Sequence, residues 1–240
     1  MSFTIQSGSE LWDPFATSAD PAAYLPRVGT ERALAGLEEA VLAGASTSLL
    51  VAEPGLGKSL LLRVLEQRLA PRRLTALLPY PALPLADLCA WAATLLGLPP
   101  GSDPVACLLE RARCREQGRR GLVLLLDDLA DLPESTLSGL VGLVEDASGV
   151  IQLAGAADPS AACVVADACA NLQSMWLLEP MSFDELSRYI EALLGRMPDL
   201  AVGRAPFDDA GLARLHSLSE GIPSQVNAEA ARMLRRWLAD

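Results

Sequence analysis

Between the apolar run Leu49-Leu50-Val51 and the amphipathic run Leu60-Leu61-Leu62-Arg63-Val64-Leu65-Glu66 lies Ala52-Glu53-Pro54-Gly55-Leu56-Gly57-Lys58-Ser59. A buried strand, a Gly-rich turn and a helix in that order leave few folds open. The turn fits the phosphate-binding P-loop pattern G-x-x-x-x-G-K-[ST], with Ala52 in place of the first glycine. Gly55 and Gly57 let successive backbone N–H groups turn inward around phosphate oxygens. The helix that opens near Gly57 points its positive end at the same anion. Lys58 is placed to reach the β- and γ-phosphates, and the Ser59 hydroxyl to ligate Mg²⁺. The expected phosphate-binding set is Glu53, Pro54, Gly55, Leu56, Gly57, Lys58, Ser59 and Leu60, with ATP or ADP and Mg²⁺ as ligands.

Lys58 is the only lysine in 240 residues; the other 18 basic residues are arginines. Arginine serves wherever any positive charge will do. The exception falls where a compact ammonium is needed and a planar guanidinium fits poorly.

The chain is 51% apolar and 20% charged, enough for one large domain, or a domain with a small lid. Its net charge is −11, and no Lys, Arg or His occurs from Gly121 through Ser187. That balance argues against a nucleic-acid partner, whose phosphates need a basic surface. The five cysteines are scattered without a CxxC pair, and one histidine makes a zinc site a poor fit. They are expected to be buried thiols in a reducing compartment. The apolar stretch 74–100 is broken by Pro79, Pro81, Pro84 and Asp87, so no direct membrane insertion is expected. With no signal-peptide pattern at the N-terminus, the expected location is the cytoplasm.

Taken in order, residues 1–29 read as a Pro-rich irregular segment. Thr30 is expected to cap a helix to Ala43. Strands are expected at 48–52, 74–78, 122–126, 150–153 and 175–178, alternating with helices at 58–69, 84–96, 105–116, 133–145 and 161–170. This is an α/β pattern: a five-stranded parallel sheet with helices on both faces, spanning 30–180. From 181 to 240 the pattern is helical only. Ser182 and Glu185 form a capping box before 183–194, and helices at 207–218 and 223–238 complete a small all-α lid.

The second half of a phosphate site is an acid at the end of a buried strand. Leu122-Val123-Leu124-Leu125-Leu126-Asp127-Asp128 supplies it. Asp127 is the Mg²⁺ candidate. Asp128 stands where a general base would polarise an attacking water, and Lys58 and Asp128 form the candidate catalytic pair.

With these motifs in place, the chain resembles AAA+ ATPases of the ExeA/GspA type, related to transposition ATPases such as TnsC. The resemblance rests on Asp13-Pro14-Phe15 with Asp20-Pro21-Ala22-Ala23-Tyr24-Leu25, on Glu31 to Leu37, on Glu179 to Leu186, and on Leu218 to Asn227, in the family's order. It implies adenine held between Val28 and Gly29 on one side and Ile222 and Pro223 on the other. It also implies rings or filaments with nucleotide at subunit interfaces.

Four departures from that family matter. The arginine of the family's "GIPR" motif is Ser224. The expected polar residue after the fourth strand falls in Leu153-Ala154-Gly155-Ala156-Ala157, apolar up to Asp158. No basic residue lies where the family's arginine finger usually does. The catalytic acid is Asp rather than Glu. An arginine finger alone is worth about 10³–10⁵ in rate. Binding and hydrolysis therefore separate. The leading expectation is a nucleotide-dependent assembly module or switch for a protein partner in secretion- or envelope-linked machinery, as a homo-oligomer or hetero-complex, with weak or no hydrolysis. The alternatives are an ATP-hydrolysing remodeller, in which Arg111, Arg113, Arg115, Arg119 or Arg188, or Arg232, Arg235 or Arg236, supplies the missing charge, and a DNA-transposition-type regulator. His216 is expected to be structural. Trp12 and Phe15 stand out as anchors for a neighbouring subunit.

Overall fold

A computed structural model describes residues 14–16, 18–99, 103–114, 118–169, 172–195 and 206–239. Trp12 and Arg115, singled out above, lie outside the described residues. The chain divides into two units, one running from Ala19 to Glu179 and the other combining the described residues up to Ser18 with those from Pro180 onward.

In the first unit, α1 (Val28–Ala43), β1 (Thr47–Val51), α2 (Lys58–Leu69) and β2 (Leu74–Leu78) are followed by α3 (Leu85–Leu95), α4 (Pro104–Arg113) and β3 (Leu122–Leu126). Then come α5 (Glu134–Asp146), β4 (Ile151–Ala157), α6 (Pro159–Ala168) and β5 (Leu172–Leu177). All neighbouring strands are parallel, in the order β2-β3-β4-β1-β5. β1, β3 and β4 are buried on both faces, which is why they read as unbroken apolar runs. Alternation sorts the side chains. Leu49, Val51, Leu122, Leu124 and Leu126 join the core built with Leu88, Leu108, Leu140 and Val165 of α3, α4, α5 and α6. The opposite face carries α1 and α2.

Several boundaries differ from the sequence reading: β5 begins at Leu172 rather than 175, and two others have a clear cause. The fourth strand runs to Ala157 rather than stopping at Leu153. Ala154, Gly155, Ala156 and Ala157 have little strand preference alone, but the ladder to β3 as far as Gly155 and the ladder to β1 as far as Ala157 override it. A side chain on Gly155 would meet Leu129, so the small residue is required there. At the other boundary, α1 begins at Val28, and Thr30 acts from inside its first turn. Its hydroxyl accepts from the Arg27 N–H at 3.1 Å and donates to the Arg27 carbonyl at 3.0 Å.

The end of α1 is tied to the sheet by Gln152, a buried residue of β4. Its Nε2 donates to the carbonyls of Val41 at 2.9 Å and Ala45 at 2.6 Å, on either side of the Gly44 cap that closes the helix. On the outermost strand, Gln173 of β5 is an extra residue in the pairing with β1, and its Oε1 accepts from the Ser46 N–H at 2.9 Å. Beyond this bulge Trp176 packs on Gly36 of α1, while Met175 and Leu177 are exposed.

The second unit contains α7 (Phe183–Leu194), α8 (Asp209–Ser219) and α9 (Pro223–Ala239). Ser182 and Glu185 form the expected capping box, with Glu185 N–H to Ser182 Oγ at 3.3 Å and Ser182 N–H to Glu185 Oε2 at 3.2 Å. Leu186, Ile190, Leu212, Leu215, Val226 and Leu234 are buried. His216 is held by the Met181 carbonyl at 3.0 Å and by the edge of Phe183, a structural role. Phe15 is 3% exposed and stacks obliquely on Phe207 with ring centroids 5.7 Å apart, so it anchors its own chain rather than a neighbour. Of the cysteines, only Cys89 and Cys169 are buried; Cys107 is half-buried and Cys114 and Cys163 are exposed, against the expectation of uniformly buried thiols.

Candidate phosphate-binding site

The site is built where the strands of the first unit end. Ala52 continues β1 by one bond, its N–H donating to the Ala157 carbonyl at 3.0 Å. The chain then leaves the sheet through Glu53, Pro54 and Gly55, all exposed, and returns at Leu56, which is 2% exposed and pins the loop to the core. Gly55 and Gly57 have φ of 85° and 94°, conformations that a side chain disfavours. Gly57 is the N-cap of α2 and has no side-chain cap, so the free N–H groups of the first turn open onto the loop. Lys58 folds back across it, and its ammonium donates to the Ala52 carbonyl at 2.7 Å. Ser59 and Leu60 follow, half-buried.

β3 delivers the acids. The Asp127 N–H donates to the Leu78 carbonyl at 3.1 Å, holding the strand end against β2. Its carboxylate accepts a hydrogen bond from the Ser59 side chain, so the two candidate Mg²⁺ ligands are already in contact. Burial pushes the Asp127 carboxyl above the usual range and Asp128 adds to this, while Ser59, Lys58 and Arg63 pull it down. Mg²⁺ retains most of its waters and asks one or two protein oxygens of such a site, the number that Ser59 and Asp127 together could supply. Asp128 is exposed, with φ 58° and ψ 74°, a left-handed conformation uncommon outside glycine.

Two further charges act here. Arg63 was not singled out from the sequence, although it lies four residues after Ser59 on the same helix face. Its charge reaches Asp127 and also Glu66, whose carboxyl is raised by burial and lowered by Arg63. Asp158, the residue after β4, caps α6: its Oδ1 accepts from Ala161 N–H at 2.8 Å and Ser160 Oγ at 2.7 Å. Those bonds, the Ala161 one first, hold its carboxyl below the ordinary range, with a lesser contribution from Lys58. A carboxylate that Lys58 feels thus follows the fourth strand, where a polar residue was expected.

The structure brings together Glu53 to Leu60 and Asp127, with Asp128 beside them. Val28 and Gly29 lie exposed in the first turn of α1. Ile222 and Pro223 belong to the other unit, at the turn from α8 into α9, with Ser224 in the first turn of α9. Two of the arginines proposed to replace the missing charge bond within their own helix. Arg232 pairs with Glu229 at 2.7 Å and Arg235 Nε donates to the Ala231 carbonyl at 3.1 Å.

A parallel five-stranded sheet with a phosphate loop after β1 and an acid at the end of the adjacent-but-one β3 defines a P-loop nucleoside-triphosphatase fold. Residues 42–161, half of the chain, match the family described as AAA domain, and the chain belongs to that family. No curated protein matches it in sequence. Among solved structures it is similar to Cdc6p from Pyrobaculum aerophilum, at 15% identity and TM-score 0.65 over 89% of this chain and 62% of that one. It is similar to the Aeropyrum pernix ORC1 protein solved in complex with DNA, at 16% identity and TM-score 0.65 over 94% of this chain and 64% of that one. A third likeness is to the Thermotoga maritima RuvB Holliday junction branch migration motor, at 19% identity and TM-score 0.56 over 91% of this chain and 64% of that one. The chain thus spans less than two thirds of each of these structures, and at such identities the likeness is one of fold. Among the described residues no helix is long and apolar enough to cross a membrane.

The raised Asp127 carboxyl has a testable sign. A folded state that holds its proton more tightly than the unfolded one loses stability as pH rises from the unfolded value through the folded value. Asp127→Asn removes that loss. Without nucleotide or metal, the variant is expected to melt a few degrees above wild type at pH 7, with the gap closing below the carboxylate range; equal melting temperatures at both pH values would refute this.

Proposed function

We propose that the chain is a nucleotide-dependent assembly module of the ExeA/GspA branch. It takes up ATP or ADP with Mg²⁺ at the phosphate loop, hydrolyses slowly or not at all, and through occupancy governs its contact with a protein partner in cytoplasmic, secretion- or envelope-linked machinery. The observation that carries this reading is the convergence of Lys58, the Ser59–Asp127 pair and the open first turn of α2 on one loop. Bound Mg²⁺ would neutralise phosphate charge between Ser59 and Asp127. Lys58 would exchange its bond to the Ala52 carbonyl for phosphate oxygens, and the N–H groups of the loop would orient them. Val28 and Gly29 would contact the adenine, as in the family this chain resembles.

Slow chemistry is supported by what surrounds the loop. Asp158 adds a negative charge that Lys58 feels, and Arg232 is paired with Glu229 within α9. The test is to purify the protein gently, denature it and identify what is released. Stoichiometric ATP supports binding without turnover. ADP directs attention to the rate, and measurable hydrolysis that disappears in Lys58→Ala would establish the remodeller instead. Nothing released, and no thermal shift with Mg-ATP or Mg-ADP, would sink the proposal.

The DNA named for the Aeropyrum ORC1 structure and the Holliday junctions named for RuvB favour a second reading, a DNA-transaction regulator. The net charge of −11 weighs against it. Salt-sensitive duplex binding in a low-salt gel shift would reverse that judgement.

A further inference from the structure

Asymmetric charge is the starting point. The stretch Gly121 to Ser187 holds eleven of the 30 acids and none of the 19 basic residues, so the remainder of the chain is balanced at 19 against 19. The whole net charge therefore belongs to the segment that builds β3, α5, β4, α6 and β5.

Within it, α5 and α6 enclose a surface groove of about 610 Å³. Its floor includes Val141, Gly142 and Val164; Val164 is 58% exposed, and Gly142 has nothing within 4 Å of where a Cβ would stand. Its rim carries Glu134, Glu145 and Asp167, all exposed. Neither helix contains a cation. An apolar floor with an acidic rim suits a helix end that offers apolar side chains flanked by arginines.

The same chain has such an end. The buried stripe of α9 runs through Val226, Asn227, Ala230, Ala231 and Leu234. One turn further on, the stripe continues into Trp237 and Leu238, which are 43% and 57% exposed. Arg235 and Arg236 precede them in the same turn, Arg235 on the side of Leu238, and both are exposed. An indole and a leucyl side chain fit a groove of that volume.

We propose that the last turn of α9 of one copy docks in the α5–α6 groove of a second copy, Trp237 and Leu238 on the floor and Arg235 and Arg236 against the acidic rim. The two surfaces differ, so the contact is heterologous. Each docked copy still offers a free groove or a free helix end, and the assembly closes into a ring or extends as a filament. This rests on the assembly reading above and gives it a surface.

The test is sedimentation velocity of the full chain at tens of micromolar, with and without Mg-ADP and Mg-ATP. Two double variants accompany the wild type: Glu145→Arg with Asp167→Arg in the groove, and Arg235→Glu with Arg236→Glu on the helix. Wild type is expected to sediment as species heavier than the 25.3 kDa monomer, weakening with added salt. Each double variant alone is expected to associate at least about tenfold more weakly. An equimolar mixture of the two is expected to recover assembly beyond the dimer, because the native helix end meets the native groove at one contact and the reversed helix end meets the reversed rim at the next. Each variant must keep the wild-type melting temperature; where a reversal lowers it, Asp167→Asn and Arg236→Gln replace it. Assembly unaffected by both double variants would overturn this contact and leave the assembly reading standing. A monomer under every condition would overturn both.

Discussion

Lys58→Ala is expected to eliminate the thermal shift that Mg-ATP or Mg-ADP gives the wild type, with affinity falling by at least about 10²-fold. The size follows from the loop's construction. Gly55 and Gly57 supply backbone donors but no charge, and Lys58 is the one cation the phosphate loop itself carries. Without nucleotide the variant loses a single hydrogen bond, to the Ala52 carbonyl, which is worth about 1 kcal/mol at a half-buried position. Binding and stability thus separate cleanly. Lys58→Arg is expected to recover little, because a guanidinium is too wide for the space between phosphates. Isothermal titration decides; an unchanged dissociation constant in Lys58→Ala would remove the phosphate assignment altogether.

Gly221→Ala is expected to destabilise the unit of α7, α8 and α9 by about 3 kcal/mol or more. Gly221 has φ 73°, a left-handed conformation costly for any side chain. An added Cβ would also run into the backbone of Met181, and that backbone is fixed, since the Met181 N–H donates to the Gly221 carbonyl at 2.8 Å. His216 binds the same Met181 carbonyl, so the clash spreads into α8. Hydrogen exchange of α7 to α9 should speed up selectively and the urea midpoint should fall. Gly29→Ala is the matched control: nothing lies within 4 Å of its Cβ position, and its effect should be near zero or slightly stabilising. Equal effects from the two substitutions would show that the close approach at Gly221 is not real.

Much of this architecture was legible because its signals are local. Gly55, Gly57, Lys58 and Ser59 announce a loop whose geometry depends on residue type alone, and the Leu122–Leu126 run announces a strand covered on both faces. The capping box at Ser182 and Glu185 marked the first residue of α7 for the same reason. The misjudged points depend on neighbours far away in sequence. β4 runs to Ala157 because β1 pairs with it to its last residue, which the small residues from Ala154 onward do not advertise. Phe15 looked like a free anchor until Phe207 was placed against it. Arg63 reads as one more charge on an amphipathic helix until β3 brings Asp127 alongside. Asp158 could be read as a helix cap from its position before Pro159, but its closeness to Lys58 arises only from the pairing of β1 with β4.

The bulge at Gln173 has a bearing on solubility. An outermost strand with open N–H and C=O groups is a template for further strands, and proteins commonly blunt it. In β5 the first half is blunted: Gln173 bends the ladder out of register and spends its side chain on Ser46. The second half is not, since Met175 and Leu177 stand exposed along the same strand. Crowding this protein therefore concentrates the risk of strand-to-strand aggregation on the segment Met175-Trp176-Leu177, and a charged residue at Leu177 is the smallest change that would relieve it.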